Sequence, residues 1–388
     1  MTPKVHFPTQ FPGAMDGTER TEVLGRPHPW MGWWWSPLAL AWGCVLRVRH
    51  ALYDRGLLFS DAGALPTVVI GNLQLGGTGK TPTVLDVAER LERRIGPGRV
   101  GVLSRGFGRT TRGFRWVSEA SHWQEVGDEP WMIQRQRPSV HVAVCADRLT
   151  ALQQMKDDRP SLEIVVLDDG FQHRRLKPNH SVVLITEKPR GWWGLVPAGG
   201  WRDLPSRANR AEVLALSRSL SAHALGQDMA DGAWVMGTPK IWLQRGLTSH
   251  AKRVDKGPGS ERWRNAGEER VSTECSLPIQ PLVVTGIARP HRMGETLMEL
   301  GIHAAGIAHY PDHHPFDDHD VKAWAAWGEQ HGVNTLVTTP KDAVRMAPFE
   351  SLLEGWECWV IHMSVTWENP KDVESCLESW TQTLPSQG

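Results

Sequence analysis

The stretch from Thr67 to Pro82 constrains the fold of this chain more than any other. An apolar run, Val68–Ile70, stops at a glycine-rich loop, and the loop ends in Gly79-Lys80-Thr81 at the start of a helical pattern. Backbone N–H groups and the helix dipole make such a helix start a site for phosphate. Gln74 stands where the usual P-loop expression has its first glycine, and Gly76-Gly77 supply the flexibility instead. We therefore predict a strand–loop–helix unit that binds a nucleoside triphosphate.

Two side chains at the end of this loop are suited to phosphate chemistry. Lys80 would reach the terminal phosphates, and the Thr81 hydroxyl would be available to a magnesium ion. A glycine turn without a ligand is the alternative for the loop alone. The apolar strand before it and the helix after it favour phosphate binding.

Length and composition limit the class of protein. A chain of 388 residues is long enough for about two domains. Lys and Arg together equal Asp and Glu at 43 each, so no overall charge favours nucleic acid as a partner. The five cysteines are scattered and form no C-x-x-C pair, which favours a reducing compartment and argues against a disulfide framework or a structural zinc site.

The N-terminal region carries a second distinctive pattern. Residues 1–28 are polar and rich in proline and glycine, which predicts disorder, and they lack the pattern of a cleaved signal peptide. Residues 29–46 are free of charge and rich in tryptophan, and Ser36-Pro37 predicts an N-cap and first helical position. The helical part, Pro37–Leu46, would reach about half of a hydrocarbon core about 30 Å thick. We predict a membrane-associated helix within 29–58 that enters one leaflet without crossing; a buried core helix is the alternative.

From Thr67 onward, short apolar runs alternate with helical patterns, as is typical of a parallel sheet buried on both faces. Apolar positions from Val84 to Ile95 recur at helical spacing, and Ala146–Met155 predicts another helix. We predict an α/β fold with a P-loop NTPase-like parallel sheet and helices on both faces, in a kinase-type domain over 59–217. The predicted strands are 68–70, 100–103, 140–145, 164–167, 182–185 and 213–216.

The periodicity fades between Ser217 and Gln280, and alternation then resumes. We predict a second, smaller α/β domain over 218–365, with an exposed insertion near 251–274 that is rich in charge, glycine and proline. A C-terminal helix within 366–388 could pack on either domain. The predicted elements of the second domain are strands within 281–290, 334–343 and 357–365, a helix near 291–300, and a helix at 318–330 capped by Asp317 or Asp318.

Charged residues follow several predicted strands of the first domain. Asp168-Asp169 ends an apolar strand and would hold magnesium beside the P-loop, whereas a helix or turn cap is the alternative for an Asp pair. Arg105 and Arg109 lie in a glycine-rich turn suited to phosphate. Asp128-Glu129 lies in the turn GDEP, where ordinary turn chemistry is the alternative.

The second domain contains a cluster of histidines and aspartates between His309 and Asp320. Three interpretations stay open. The cluster could bind a metal, although its spacing fits no tight tetrahedral pattern. It could be a helix start with solvated polar residues, or one histidine could reach across the cleft to the nucleotide.

Taken together, eight motifs resemble those of the tetraacyldisaccharide 4'-kinase family, the lipid A 4'-kinases of Gram-negative bacteria. They run in order from about Arg47 to Val344 and read GNLQLGGTGKTP, SRGFGR, GDEP, DDGFQH, VPAGGWRDLP, TGIARP, YPDHHPF and TPKDAV. The resemblance implies transfer of the ATP γ-phosphate to the 4'-hydroxyl of a tetraacyl glucosamine disaccharide 1-phosphate. It also implies a two-domain α/β kinase, peripheral or monotopic, on the cytoplasmic face of the inner membrane.

The same resemblance implies roles for individual residues. Asp128 would be the base and His313 the second member of a catalytic pair, with Lys80 at the phosphates. Asp168, Asp169 and Thr81 would bind Mg²⁺, with Glu129 supporting that site, and Arg105, Arg148 and Arg202 would contact substrate or phosphate. The segment 217–280 matches the family poorly, and Pro340 stands where the family more often has an acid. The residues implied to bind ATP are Gln74, Leu75, Gly76, Gly77, Thr78, Gly79, Lys80 and Thr81.

Two functions from other classes compete with this one. A membrane-associated P-loop ATPase switch of the partitioning or metal-carrier type shares GGxGKT, but it usually carries a lysine near the start of the loop, where this chain has Gln74 and Leu75. A histidine-rich metal-binding protein is the third candidate. Neither competitor needs a lipid acceptor for its activity.

Overall fold

The computed structural model describes residues 33–187, 194–217, 220, 233–237, 239–245, 247, 253–254, 280–287 and 290–384. The predicted disordered segment 1–28 lies outside the described residues, and so does the predicted insertion 251–274 except for Arg253–Val254. The strands are β1 (Asp61–Ala62), β2 (Thr67–Asn72), β3 (Val100–Ser104), β4 (Arg115–Trp116), β5 (His141–Val144), β6 (Ile164–Asp168), β7 (Leu176–Lys177), β8 (His180–Ile185), β9 (Val213–Leu216), β10 (Trp234–Val235), β11 (Lys240–Arg245), β12 (Arg253–Val254), β13 (Leu282–Thr285), β14 (Gly306–His309), β15 (Thr335–Thr338) and β16 (Glu357–Ser364).

The helices lie between these strands in the alternating order that the sequence predicts. The α-helices are α1 (Ser36–Asp54), α2 (Lys80–Ile95), α3 (Trp123–Val126), α4 (Asp128–Gln136), α5 (Arg148–Asp158), α6 (Pro290–Glu299), α7 (Asp318–His331), α8 (Pro340–Met346) and α9 (Pro370–Gln382), and short 3₁₀ helices span Trp33–Trp35, Pro205–Arg210 and Ala347–Leu353.

The first sheet has the strand order β10-β9-β8-β2-β6-β3-β5-β4 within the described residues. All neighbours are parallel except β4, which runs antiparallel to β5. The strand β2 that leads into the glycine-rich loop lies between β6 and β8, so the loop emerges at the middle of the sheet. The predicted α/β fold is confirmed. The short strand β10 joins this sheet although it follows residue 217 in the chain.

Both faces of the first sheet are covered because its strands are apolar on both sides. On one face, α2, α4 and α9 share one apolar core with Val68 and Ile70 of β2. On the other face, α5 packs against β2 and its neighbours, including Val69, and α1 packs against β8 and β9. The sheet is therefore buried on both faces, and open α/β sheets of this kind bind ligands at their carboxyl edge.

A second, smaller sheet has the order β12-β11-β16-β15-β13-β14. The strands β13, β14, β15 and β16 are parallel, whereas β11 runs antiparallel to both of its neighbours. Its core contains Trp324 of α7 and Trp359 of β16, both almost fully buried. Several of the chain's many tryptophans therefore serve ordinary core packing in this domain.

The N-terminal helix lies within the predicted range 29–58 but differs from its prediction at the cap. Helix α1 begins at Ser36, so Trp35 rather than Ser36 occupies the N-cap, and no side chain caps it. The helix also continues past Leu46 to Asp54. Leu46 ends only the charge-free part of this helix, and the last turns are held by contacts of His50 and Asp54 with the first domain. No described helix is long and apolar enough to cross a bilayer.

The two sides of α1 have opposite surroundings. Its buried residues recur at helical spacing and face the first domain, namely Ser36, Ala39, Gly43, Leu46 and His50. The other side of α1, with the 3₁₀ turn before it, exposes large apolar residues, namely Trp34, Trp35, Leu38, Leu40, Trp42, Val45 and Val48. One side is therefore core, as the alternative interpretation held, while the other presents an apolar surface.

The C-terminal helix packs on the first domain. Helix α9 places Val373 and Leu377 in the same apolar core as α2. Its Glu374 pairs with Arg90 and Arg94 of α2. Since α9 follows the last strand of the second sheet, it ties the two domains together.

Candidate active site

The glycine-rich loop has the backbone geometry that phosphate binding needs. Helix α2 begins at Lys80 after Gly79, whose φ of 87° lies in the left-handed region that glycine adopts without strain. No side chain caps the helix start, so its first N–H groups point out of the loop. Within the loop, Asn72 donates a hydrogen bond of 2.7 Å from Nδ2 to Oγ1 of Thr78. This bond ties the end of β2 to the last part of the loop just before the helix starts.

Gln74 replaces the first glycine of the usual motif, and its side chain is buried and structural. Its Oε1 accepts hydrogen bonds from the backbone N and the hydroxyl of Thr186, at 2.9 and 3.0 Å, and its Nε2 donates to the carbonyl of Glu187 at 2.8 Å. The side chain thus anchors the loop to the end of β8. Leu75, next in the loop, is half exposed.

Lys80 and Arg202 converge on Asp169. The Lys80 ammonium lies 4.0 Å from Oδ2 of Asp169, and the Arg202 guanidinium donates to both of its carboxylate oxygens. Burial works against ionisation of Asp169, but the hydrogen bonds from Arg202 and the charge of Lys80 outweigh it and lower the pKa of the carboxyl. Asp169 also has a positive φ of 53°, at the sharp turn after β6. Two cations are therefore gathered beside the phosphate loop.

Asp168 is adjacent in sequence but lies in a different electrostatic environment. It ends β6 directly beside Ile70 of β2, and only 2% of it is exposed. Burial first, and then the charges of Glu129 and Asp169, raise its pKa to about 7. Ser104 donates to Oδ2 at 3.3 Å, while Oδ1 has no hydrogen-bond partner in the described part of the chain. A buried carboxylate oxygen without a donor is suited to a cation.

The two other predicted phosphate-contacting arginines lie apart from this pair. Arg148 is buried at the start of α5 and donates to the backbone carbonyls of Cys145 and Asp168. Burial lowers its pKa to about 10. Arg105 follows β3 and is exposed. Arg148 thus hydrogen-bonds the backbone at the end of β6. Arg105 lies at the carboxyl edge of the sheet, just after β3.

Asp128 and His313 meet across the two domains. Asp128 begins α4 after Gly127 and is buried, and its Oδ2 lies 2.9 Å from Nδ1 of His313. Burial opposes ionisation of Asp128, yet the hydrogen bond from His313 and the nearby charges of Lys341 and Arg345 lower its pKa. Asp128 is therefore a carboxylate with an imidazole partner, and the catalytic roles that the resemblance implied for the two residues stay a prediction.

Two residues that sequence reasoning missed surround this pair. Lys341 Nζ lies 3.0 Å from Nε2 of His313 and 3.3 Å from Oε1 of Glu129. Phe107 is two-thirds exposed, and its ring centroid lies 5.1 Å from that of His313. A positional signal existed for both residues, since each lies within three residues of the carboxyl end of a parallel strand.

The neighbouring histidine serves the second domain instead. His314 Nε2 lies 2.8 Å from Oδ2 of Asp320, and its ring stacks on Tyr310 at 4.5 Å between centroids. Asp317 is the N-cap of α7 and forms a capping box with Asp320. The described residues contain no group of three or more His, Cys, Asp or Glu arranged to hold a metal ion. Part of the histidine–aspartate cluster is therefore the helix start that one interpretation proposed.

The fold and the site define the class: a phosphotransferase built on a P-loop α/β sheet. The family model for Tetraacyldisaccharide-1-P 4'-kinase (LpxK) matches residues 31–382. The chain therefore belongs to the tetraacyldisaccharide 4'-kinase family, as its motifs indicated.

Individual relatives agree with this assignment. A tetraacyldisaccharide 4'-kinase of Anaeromyxobacter sp. (strain Fw109-5) is 36% identical over 321 residues, covering 81% of this chain and 83% of the relative. One of Bacteroides thetaiotaomicron is 33% identical over 324 residues, covering 81% and 82%. A crystal structure of LpxK from Aquifex aeolicus in complex with ATP has the same fold, with a TM-score of 0.67, 24% identity, and coverage of 89% of this chain and 98% of that one.

Proposed function

We propose that this protein is a lipid kinase that transfers the γ-phosphate of ATP to the 4'-hydroxyl of a tetraacyl glucosamine disaccharide 1-phosphate. The Asp128–His313 pair at 2.9 Å is the observation that carries the proposal. Glu129, next to Asp128, lies close enough to Asp168 for its charge to raise the pKa of that carboxyl. An ATPase switch does not need a base that takes the proton of an acceptor hydroxyl, whereas a buried carboxylate with an imidazole partner can do so. The names of the relatives, including one structure solved with ATP, support the same donor and acceptor.

The chain's own residues account for each part of the transfer. The backbone N–H groups of the glycine-rich loop and Lys80 would hold the β- and γ-phosphates. The 4'-oxygen attacks the γ-phosphorus, its proton passes to Asp128, and the bond to the bridging oxygen breaks to release ADP. Lys80, with Arg202 behind Asp169, would offset the charge on the transferring group.

The acidic residues beside the loop fit a magnesium ion. Asp168 offers a buried oxygen with no hydrogen-bond donor in the described part of the chain. Thr81, Asp169 and Glu129 would supply further hard oxygen ligands, although the described acids are not already arranged as a three-ligand site. When bound, Mg²⁺ would neutralise charge on the β- and γ-phosphates. Asp168 is the best placed of the four, since Asp169 is already paired with Arg202 and Glu129 with Lys341.

The acceptor requires the enzyme to work at a membrane surface. Removing acyl chains from a bilayer costs about 0.8 kcal/mol per CH₂ group, so the substrate's reactive sugar stays at the interface. The exposed apolar side of α1, with Trp34, Trp42 and Val45 among its residues, would enter one leaflet. We therefore place the protein on the cytoplasmic face of the inner membrane, as a peripheral or monotopic protein.

The test is incubation of the full-length protein with γ-labelled ATP, Mg²⁺ and a tetraacyl disaccharide 1-phosphate in mixed micelles, followed by lipid extraction. We expect label in the lipid phase and none with a lipid whose 4'-hydroxyl is blocked. Release of labelled phosphate at the same rate without any lipid would instead support an ATPase switch.

A further inference from the structure

Lys341 contacts the catalytic pair but has no part in the proposed transfer. It is the second residue of α8, the short helix that follows β15 of the second sheet. Its Nζ lies 3.0 Å from Nε2 of His313, and 3.3 Å from an oxygen of Glu129 and from one of Asp312. The side chain is only 16% exposed. The lysine is therefore held between the two domains by both its partners and its burial.

The two ring nitrogens of His313 face groups with opposite hydrogen-bonding character. Nδ1 lies 2.9 Å from Oδ2 of Asp128, and an ionised carboxylate can only accept, so Nδ1 must carry a proton. Nε2 lies 3.0 Å from the Lys341 ammonium, which can only donate, so Nε2 must offer its lone pair. These two contacts together select a neutral imidazole with its single proton on Nδ1.

We propose that Lys341 is a positioning residue for phosphoryl transfer, whose ammonium holds His313 as the neutral Nδ1–H tautomer and leaves Asp128 as the group that takes the hydroxyl proton. The role in transfer rests on the proposed function, whereas the tautomer follows from the hydrogen bonds alone. Because Lys341 already occupies the lone pair of Nε2, the imidazole has no free site for the substrate's proton. His313 orients Asp128 and does not itself act as the base.

The surroundings of His313 support this division of roles. The charged groups that face its ring are Asp128 from α4, Asp312 from its own loop and Lys341 from α8, while Phe107 packs on the ring. Helix α8 also holds the backbone of the loop that carries His313.

The backbone of that loop is held by a buried arginine. His313 has a φ of 62°, in the left-handed region, and the next carbonyl, that of His314, accepts a hydrogen bond of 3.1 Å from Arg345. Arg345 is fully buried and paired with Asp342. One helix thus sets both the position of the histidine and the protonation of its ring.

Nitrogen NMR of the nucleotide-free, full-length protein with ¹⁵N-labelled histidine tests the tautomer directly. The His313 signals are assigned by their loss in His313→Gln. We expect a protonated Nδ1 and an unprotonated Nε2 in the wild type at neutral pH. In Lys341→Met, the Nε2 signal should move away from its wild-type position, because that nitrogen loses the donor that occupies its lone pair.

Two variants make the comparison specific. Lys341→Arg keeps a cationic donor and should leave the Nε2 signal unprotonated, and Lys322→Met, on the exposed side of α7, should not move the His313 signals. A wild-type His313 with its proton on Nε2, or a Lys341→Met spectrum identical to the wild type, would overturn the proposal. The wild-type spectrum alone decides the tautomer even if Lys341→Met fails to fold.

Kinase assays test the positioning role separately. We expect Lys341→Met to lower kcat by about 10- to 100-fold, with KM for ATP changed less than about threefold, and Lys341→Arg to recover part of the loss. An unchanged kcat in a variant whose tautomer has changed would remove Lys341 from the mechanism. If the wild type does not phosphorylate the lipid, the proposed function fails while the NMR result on the tautomer still stands.

Discussion

His50 on helix α1 and Asp203 in the loop before β9 form a buried hydrogen bond of 2.7 Å between Nε2 and Oδ1. The other ring nitrogen, Nδ1, lies 3.1 Å from Arg174, which also donates to Asp54 at 2.8 Å. Asp203 directly follows Arg202, the residue that holds Asp169 at the phosphate loop. Helix α1, whose other side exposes apolar residues, is thus joined by polar contacts to the loops that build the site.

This arrangement determines how membrane binding should be tested. Deleting residues 1–58 would remove the apolar side of α1, but it would also leave Asp203 and Arg174 without His50. Because the second effect could by itself disturb the fold or the site, substitutions on the outer side of α1 are the cleaner test.

We expect Trp42→Glu with Val45→Glu to reduce binding to vesicles of anionic phospholipid at least about tenfold. Each substitution would remove roughly 1.5–3 kcal/mol of the free energy gained when the apolar side chain is buried in the leaflet. Co-sedimentation measures the loss, and an unchanged thermal transition would show that the inner side of α1 is intact. Met298→Glu, on an exposed apolar residue of the second domain, is the control. If the α1 double variant and Met298→Glu lost vesicle binding equally, or if neither lost it, the membrane contact would lie elsewhere.

Much of the first domain could be predicted because its signals are local. The apolar runs that became β2, β3, β5, β6, β8 and β9 are short and bounded by glycine or charge, and each forms a strand. Asp168, predicted to follow the strand at 164–167, is the last residue of β6, so the same rule placed it at the carboxyl edge of the sheet. Local patterns thus predicted both the sheet and the residues at that edge.

The parts that depend on distant packing were not predictable. Asp128 and His313 are 185 positions apart, and only the resemblance brought them together. Lys341 gave no chemical signal of its own, since a lysine in a short helix is normally a solvated residue. The length of α1 also depends on tertiary contacts, because its last turns are held by His50 and Asp54.

Lys80→Ala tests the phosphate loop. The substitution removes the ammonium that would offset charge on the transferring phosphoryl group, so we expect kcat to fall by about a hundredfold or more. The helix start itself should persist, because Gly79 and the first turn of α2 do not depend on that side chain. Lipid phosphorylation by the variant is compared with that by Lys156→Ala, whose lysine is exposed on α5. Near-wild-type activity of a folded Lys80→Ala protein would contradict the ATP site.

The raised pKa of Asp168 predicts a pH-dependent stability. Burial raises it from 3.8 to about 7, so between these values the folded protein holds a proton that the unfolded chain releases. The free energy of unfolding should therefore fall as pH rises through this window. Asp168→Asn abolishes this titration and should gain stability relative to the wild type as pH rises from 5 to 8, by up to a few kcal/mol (about 1.4 kcal/mol per unit of pKa shift).

Urea denaturation in EDTA, which removes Mg²⁺, measures this difference. The exposed Asp157→Asn on α5 is the matched control and should show no such trend. If the free energies of unfolding of Asp168→Asn and the wild type differed by the same amount at every pH from 5 to 8, Asp168 would be ionised throughout that range.

The last prediction concerns the pair that spans the domains. If His313 acts only by orienting Asp128, the two residues form one unit, and their losses should not add. We expect Asp128→Ala to lower kcat by about 10²- to 10⁴-fold and His313→Ala by less, with the double variant close to Asp128→Ala alone. His314→Ala changes a neighbouring ring that bonds Asp320 instead, so it should reduce stability more than kcat. Losses that multiply in the double variant would assign the two residues separate roles, and an effect of His313→Ala on the KM for ATP alone would make that histidine a binding residue.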